Sequence, residues 1–255
     1  MAARAVSTGE EVLKMRWALG CMLICGLCLA ACASFGPNVV PSNAVAEQPK
    51  LGIGSTWTYQ ERDGYNGVLK GTFTQRAVSL SPLTVRSERG SSLFAEPGSV
   101  LQTLVPPHGE FAFDPPLESL PYPLVPGKSW NQRVIATQLE SGKKYVWKVY
   151  GKVRSWEKVR VPAGEFVALR VVRDLYLGDH DWFRTETRRT EVDWYVPEVE
   201  WIARRFTSEE YRDLRRSRDS FFFDDSLIRG DRTIWELASH RASDAAPTTM
   251  LHRSK

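Results

Sequence analysis

Apolar and polar residues alternate most regularly between Lys144 and Arg154. Over most of this segment every second residue is apolar and falls on one face of an extended chain, while basic residues fall on the other face. The apolar positions are Tyr145, Trp147, Val149 and Val153, and the basic ones are Lys144, Lys148, Lys152 and Arg154. This period of two predicts a β-strand with one buried face and one face in water.

Further segments of this kind follow one another along the chain. They begin at Trp57 and are separated by turn residues such as Asp63-Gly64, Asn66-Gly67 and Gly178-Asp179. The other predicted strands cover residues 68–80, 83–87, 100–105, 166–175, 182–196, 201–206 and 228–237. Because short turns join antiparallel neighbours, we expect a mostly β chain: a single curved antiparallel sheet or an incomplete barrel, connected as a meander.

Three segments do not fit the strand pattern. Seven prolines fall between Pro106 and Pro126, and since proline has no N–H to donate to a ladder, this stretch is expected to be ordered coil or edge structure. Gly90-Ser91-Ser92 is predicted to be a turn. Residues 207–225 are ambiguous, because Ser208-Glu209-Glu210 could cap a short helix that the following residues would not continue.

The N-terminus has the composition of a secretory signal. Arg16 is followed by an apolar run from Trp17 to Leu29, which is shorter than the ~20 residues needed to span a bilayer. The run ends in Leu29-Ala30-Ala31-Cys32, which resembles the lipobox of bacterial lipoproteins. Residues 1–31 are therefore predicted to be a signal peptide, with Met15 as an alternative start.

The lipobox resemblance implies that Cys32 is lipidated, with a diacylglycerol on the thiol and a further acyl chain such as palmitate on the amine. Two or more chains give stable attachment to a membrane. Ala33, where many inner-membrane lipoproteins carry Asp, implies an outer-membrane location facing the periplasm. We expect residues 32–50 to be the lipidated cysteine and a flexible tether, residues 51–238 the β domain, and residues 239–255 a disordered tail.

Composition narrows the classes of function. The net charge is only +4, and without a basic face no nucleic-acid partner is expected. Three of the four cysteines lie in the signal sequence, so the mature chain would keep only Cys32 and have no disulfide. The fold would then depend on its hydrophobic core alone.

Four short motifs occur in a fixed order across residues 51–207. They are Gly54-Ser55-Thr56-Trp57-Thr58-Tyr59, Pro123-Leu124-Val125-Pro126-Gly127-Lys128-Ser129-Trp130, Val161-Pro162-Ala163-Gly164-Glu165-Phe166 and Trp194-Tyr195-Val196-Pro197-Glu198-Val199. In this order they resemble a family of bacterial periplasmic and lipoprotein β-domains. The resemblance implies a curved antiparallel sheet, and it carries over no active site, because no activity is known for the family.

Candidates for catalysis each have a simpler explanation. Asp179-His180-Asp181 could hold a divalent metal, but a polar hairpin turn explains it equally well. A nucleophile elbow of the form G-x-S-x-G is absent from the sequence. The carboxylates Glu186, Glu191 and Asp193 could form a glycosidase pair, but arginines alternate with them, which favours charge pairing across strands on a wet face of the sheet. No catalytic residue, cofactor site or metal site is predicted.

Aromatic residues are concentrated on the predicted strands, where they either fill a core or line a cavity. The residues predicted to line a ligand cavity are Trp57, Trp130, Tyr145, Trp147 and Trp194. The expected function is a lipid-anchored, non-enzymatic module of the envelope that binds an amphiphile. Two alternatives stay open: a scaffold subunit that docks a protein complex through an exposed apolar patch, and a hydrolase with an unrecognised site.

Overall fold

The computed structural model describes residues 43–179, 182–217 and 227–243. The predictions for residues 1–31 and for Cys32 therefore lie outside the described residues, as do those for His180, Asp181 and the last twelve residues. Within the described residues, no helix is both long and apolar enough to cross a bilayer.

Almost the whole described chain is extended. Its strands are β1 (Thr56–Asp63), β2 (Leu69–Leu80), β3 (Leu83–Ser87), β4 (Gly90–Glu96), β5 (Ser99–Val105), β6 (Gly109–Glu118), β7 (Ser129–Gln138), β8 (Lys144–Val161), β9 (Gly164–Gly178), β10 (Arg184–Val196), β11 (Trp201–Asp213) and β12 (Leu227–Arg241). A 3-10 turn, Pro197–Val199, joins β10 to β11, and a single helical turn, α1 (Leu214–Ser217), follows β11.

Every strand pairs antiparallel with the strands before and after it in the sequence, as the predicted meander requires. The sheet then closes, because β1 pairs with β2 on one side and with β12 on the other. The pairing of β1 with β12 runs from Thr56 opposite Arg241 to Asp63 opposite Thr233. The predicted curved antiparallel sheet is thus confirmed, and it forms a complete barrel with no free edge.

The prediction for the proline-rich stretch is wrong in its first half, since Gly109–Glu118 is strand β6. Its ladder with β7 extends only from Phe111 to Asp114 and ends where Pro115 and Pro116 follow. Proline has no N–H to donate, so the pairing with β7 stops there. The strand itself continues and pairs with β5 on its other side, where Leu117 lies opposite Val100.

One smaller prediction is also wrong, and part of the ambiguous segment is resolved. Gly90-Ser91-Ser92 is not a turn but the start of β4. Residues 207–213 do not begin a helix; they continue β11, because Thr207, Glu209 and Asp213 alternate as buried residues on the inner face of the sheet. Buried polar residues hid this alternation from a reading based on apolar residues alone.

Both ends of the described chain contact the barrel. β12 runs three residues into the segment 239–255, to Arg241. On the N-terminal side, Ala46 is buried and pairs with Leu124 through two backbone hydrogen bonds, of 3.0 and 2.8 Å. Ala44 accepts a hydrogen bond of 2.8 Å from the indole of Trp156. The residues just before the first strand are therefore packed against the rest of the fold, and Ala46 belongs to its hydrophobic core.

Candidate functional site

The interior of the barrel contains a cavity of about 150 Å³. A closed sheet of about eight strands is filled by its own side chains, whereas a larger one leaves room inside. One wall of the cavity is aromatic, formed by Tyr59, Phe73, Phe94, Trp147, Trp201 and Trp235. Another wall is charged and includes Arg173, Arg189, Glu191 and Arg205. The cavity is therefore amphipathic.

The aromatic wall is held in place by ring contacts and by hydrogen bonds to the backbone. Phe73 packs edge-on against Trp235 with ring centres 4.9 Å apart, and Tyr59 stacks on Phe73 at 5.3 Å. The Tyr59 hydroxyl donates to the carbonyl of Ile202 at 2.7 Å. Burial raises the pKa of Tyr59 well above its ordinary value, so this hydroxyl stays protonated and keeps donating.

The charged wall comes from the inward positions of three neighbouring strands. β9 contributes Arg173, β10 contributes Arg189, Glu191 and Asp193, and β11 contributes Arg205 and Glu209. Because side chains alternate between the two faces of a strand, Glu191 lies between Arg189 and Asp193 on the same face. These six side chains form what we call the interior charge network.

The interior charge network is one continuous chain of ion pairs. Asp193 accepts from Nε and Nη2 of Arg205 at 2.6 and 2.9 Å, and from Nη2 of Arg173 at 2.7 Å. Arg173 also donates to Glu191 at 2.6 Å. Glu191 in turn accepts from Arg189 at 2.8 Å, and Arg189 donates to Glu209 at 2.7 Å. Three guanidinium groups thus balance three carboxylates.

Burial and charge pairing act in opposite directions on these carboxyl groups. Burial by itself would raise the pKa of Asp193, but the guanidinium groups of Arg205 and Arg173 outweigh it and hold the pKa below its usual range. The same balance, with Arg173 and Arg189 as the cations, lowers the pKa of Glu191. All the carboxylates of the network are therefore ionised at neutral pH.

The proline-rich segment closes one end of this network. The imidazole Nε2 of His108 lies 3.0 Å from Glu209, and both side chains are buried. The carbonyl of Pro106 accepts a hydrogen bond of 2.8 Å from Arg189. Burial would raise the pKa of Glu209, but the bond to His108 and the charge of Arg189 lower it.

Two of the residues that line the cavity have a donor without a hydrogen-bond partner among the described residues. The indole Nε1 of Trp147 is buried and makes no hydrogen bond, although the side chain is only 1% exposed. The Nη1 of Arg205 makes no hydrogen bond to the described residues either, whereas its Nε and Nη2 both donate to Asp193. The Trp147 Nε1 is fully buried, so its missing hydrogen bond costs free energy. The Arg205 side chain keeps an exposed fraction of 23%, and its Nη1 is available to an acceptor placed in the cavity.

The structure separates the five aromatic residues that the sequence nominates as ligand-lining. Trp147 lines the interior cavity. Trp57 is buried inside, where it stacks on Trp201 at 5.1 Å and donates to the Val199 carbonyl at 2.9 Å, and it does not line the cavity. Tyr145 is half-buried and packs edge-on against Phe111 at 6.1 Å.

The remaining two do not line the cavity, and of these only Trp194 lies on the outer face. Trp130 covers Gly151 on the neighbouring strand, where a Cβ would come within 2.1 Å of its ring. Gly151 has the same parity as the inward-facing Val149 and Val153, so Trp130 lies on the inner face, where its indole donates to the Glu118 carbonyl at 3.2 Å. Trp194 donates to Glu157 at 2.5 Å and carries the guanidinium of Arg204 over its ring. The five residues are therefore not brought together around one site.

Sequence reasoning missed Arg173 and Arg205 as site residues. Arg173 has the same parity as Val171 and Leu175 on β9, so it is a charge on an apolar face, and this was a readable signal. Glu191 and Asp193 do pair with arginines, as the charge alternation on β10 indicates. The pairing lies inside the barrel, however, and not on a wet face of the sheet. The third carboxylate, Glu186, lies 3.3 Å from Arg212 outside this network.

Among the described residues, no group of three or more histidine, cysteine or carboxylate side chains is placed to hold a metal ion.

Comparisons with known proteins return two solved structures. No protein-family model and no curated protein matches the chain. A candidate lipoprotein from Parabacteroides distasonis is 12% identical with a TM-score of 0.41, and the match covers 79% of this chain and 100% of that one. A candidate exported protein with a YmcC-like fold from Bacteroides fragilis is 13% identical with a TM-score of 0.42, covering 78% and 100%. At these values neither likeness bears on the function of this chain.

Proposed function

We propose that this chain is a lipoprotein of the bacterial envelope, anchored at the outer membrane through Cys32, whose barrel binds a small amphiphile in its interior cavity. The observation that carries the binding role is the meeting of an aromatic wall and guanidinium donors around one cavity. An apolar body would pack on the aromatic rings, and a polar end would accept hydrogen bonds from an arginine of the charged wall.

The size of the cavity restricts the ligand. A cavity of about 150 Å³ is comparable to one that admits benzene, and it is smaller than the roughly 300–1,000 Å³ of sites that enclose drug-sized molecules. The ligand is therefore either small or inserts only one end into the barrel.

The carboxylates of the interior charge network suit a binding role better than a catalytic one. A general base or acid needs a pKa near the working pH. The pKa values of Glu191, Asp193 and Glu209 are instead all lowered. Each is also committed to an arginine at 2.6–2.8 Å. These carboxylates are poor proton carriers at neutral pH, and their role is to hold the arginines in place.

Two matched tryptophan variants test the cavity as the binding site. Trp147→Phe removes part of an aromatic ring that lines the cavity, so we expect it to weaken ligand binding about fivefold or more. The void left in the core should lower the free energy of unfolding by about 1–3 kcal/mol. Trp57→Phe removes the hydrogen bond to Val199 and lies outside the cavity lining. It should lower the free energy of unfolding by about 1–3 kcal/mol and leave binding unchanged.

Native mass spectrometry of the exported protein measures occupancy by any co-purifying small molecule, and urea unfolding measures stability. The expected result is that occupancy falls in Trp147→Phe alone. If Trp147→Phe keeps the full occupancy of the wild-type protein, or if the wild-type protein carries no ligand and binds no amphiphile added to it, the proposed binding role is wrong.

The lipid anchor is tested separately on the N-terminus. In bacterial cells the wild-type chain should be recovered beginning at Cys32 with the mass of its attached acyl chains. Cys32→Ala should retain preceding residues and carry no lipid mass. Cys28→Ala is the matched control, because that cysteine lies in the predicted signal core, and it should be processed as the wild type is. A wild-type chain that begins elsewhere, or carries no lipid, contradicts the anchor.

A further inference from the structure

Arg205 lies where the aromatic wall of the cavity meets the interior charge network. Its guanidinium carbon is 5.5 Å from the centre of the Trp235 ring. Its side chain is 23% exposed, against 10% for Arg189 and 2% for Arg173. Because Arg205 points into the barrel and lines the cavity, this exposed fraction is surface offered to the cavity.

The guanidinium of Arg205 is fixed in orientation and has a donor to spare. Its Nε and Nη2 both donate to Asp193, a side-on bidentate pair that fixes the orientation of the guanidinium. Nη1 has no hydrogen bond within the described part of the chain. The carboxylate that neutralises Arg205 is fully buried behind it, so a molecule in the cavity meets the donor and not the carboxylate.

Most of the other charged residues around the cavity are also cations. Of the charged side chains described along its lining, Arg89, Arg173, Arg189 and Arg205 are cations and only Glu191 is an anion. A cationic ligand would be repelled by this lining. A neutral acceptor would form a weaker hydrogen bond than a charged one, since charge-assisted bonds are roughly twice as strong.

We propose that the polar end of the ligand is a carboxylate that accepts a hydrogen bond from Nη1 of Arg205. The apolar body of the ligand packs against Trp235, Phe73 and Tyr59, which line the same cavity. A single negative charge suits this place, because four of the five charged side chains that line the cavity are arginines. This inference rests on the proposed binding function and names the chemical class of its ligand as a small carboxylic acid with an apolar or aromatic body.

A pair of isosteric probes tests the carboxylate directly. 4-Phenylbutanoate and 4-phenylbutanamide differ only in the charge of the polar end, and each is titrated by calorimetry into the full chain carrying Cys32→Ser, which removes the expected lipid. We expect the acid to bind at least tenfold more tightly than the amide. In Arg205→Lys, which loses the planar fork and Nη1, this preference should fall to less than threefold.

The adjacent residue supplies the control. Arg204 lies on the outer face of the same strand, over Trp194, so Arg204→Lys should keep the tenfold preference. Thermal unfolding of each variant shows that it is folded before binding is compared. The wild-type comparison does not depend on any variant folding: equal binding of acid and amide overturns the carboxylate while the binding function stands, and binding of neither probe overturns both.

Discussion

Asp193→Asn is expected to lower the free energy of unfolding by about 3–5 kcal/mol. The substitution preserves the shape of the side chain but removes its charge, leaving the buried guanidinium groups of Arg173 and Arg205 without their shared counter-ion. Asp193 is 0% exposed and Arg173 is 2% exposed, so water cannot replace the lost partner. Removing one member of a buried ion pair typically costs this much, because the other charge stays buried and uncompensated.

The effect is measured as the shift in urea-unfolding free energy relative to the wild-type chain. Asp174→Asn is the control, because Asp174 is the next residue after Arg173 on β9, on the opposite face of the strand. It accepts a hydrogen bond of 2.7 Å from Thr190, which an amide oxygen can also accept. This variant should lose less than about 1 kcal/mol. Equal losses in the two variants would show that the interior charge network does not stabilise the fold.

The second large effect is a loss of stability in acid. Glu191, Asp193 and Glu209 each have a lower pKa in the folded chain than in the unfolded one. Their ionisation therefore stabilises the fold fully above the unfolded-state pKa values of about 4. The stabilisation is lost as the pH falls below that value toward the folded-state pKa values, because the unfolded chain then binds more protons.

We expect the free energy of unfolding to be nearly constant from pH 7 to about pH 5 and to fall steeply below about pH 4. Each proton taken up only by the unfolded chain contributes about 1.4 kcal/mol per pH unit to the slope. The contribution of the network is the difference between the wild-type curve and that of Asp193→Asn, which should be shallower. Parallel curves for the two proteins between pH 4 and 2 would contradict this assignment.

The same network links stability to the proposed binding. Asp193 holds Arg205 with two hydrogen bonds and Arg173 with one, so the carboxylate that stabilises the barrel also aims Nη1 of Arg205. Nη1 of Arg173 also donates to the backbone carbonyl of Ser119 at 2.7 Å. A fixed donor loses little conformational entropy when it meets a ligand. The arginines are therefore preorganised by the residues that make the core stable.

Local patterns predicted most of the strands. The alternation along Lys144–Arg154 marked β8 correctly, with Trp147, Val149 and Val153 facing inward. The prediction succeeded because one face of each strand is buried and the other is in water. This difference appears directly as an alternation between adjacent residues in the sequence. The alternation of Arg189, Glu191 and Asp193 also indicated charge pairing. It did not indicate burial, because the same residues would pair equally well on a solvated face.

By itself, then, the sequence determined the antiparallel order of the strands, since short turns can join only neighbours. Only the tertiary structure decided that β12 meets β1, that Trp147 lines the cavity while Trp194 lies outside, and that Arg205 reaches Asp193. These contacts join residues 12 to more than 180 positions apart. They depend on the register and closure of the whole sheet, in which a shift of one residue would exchange the inner and outer faces.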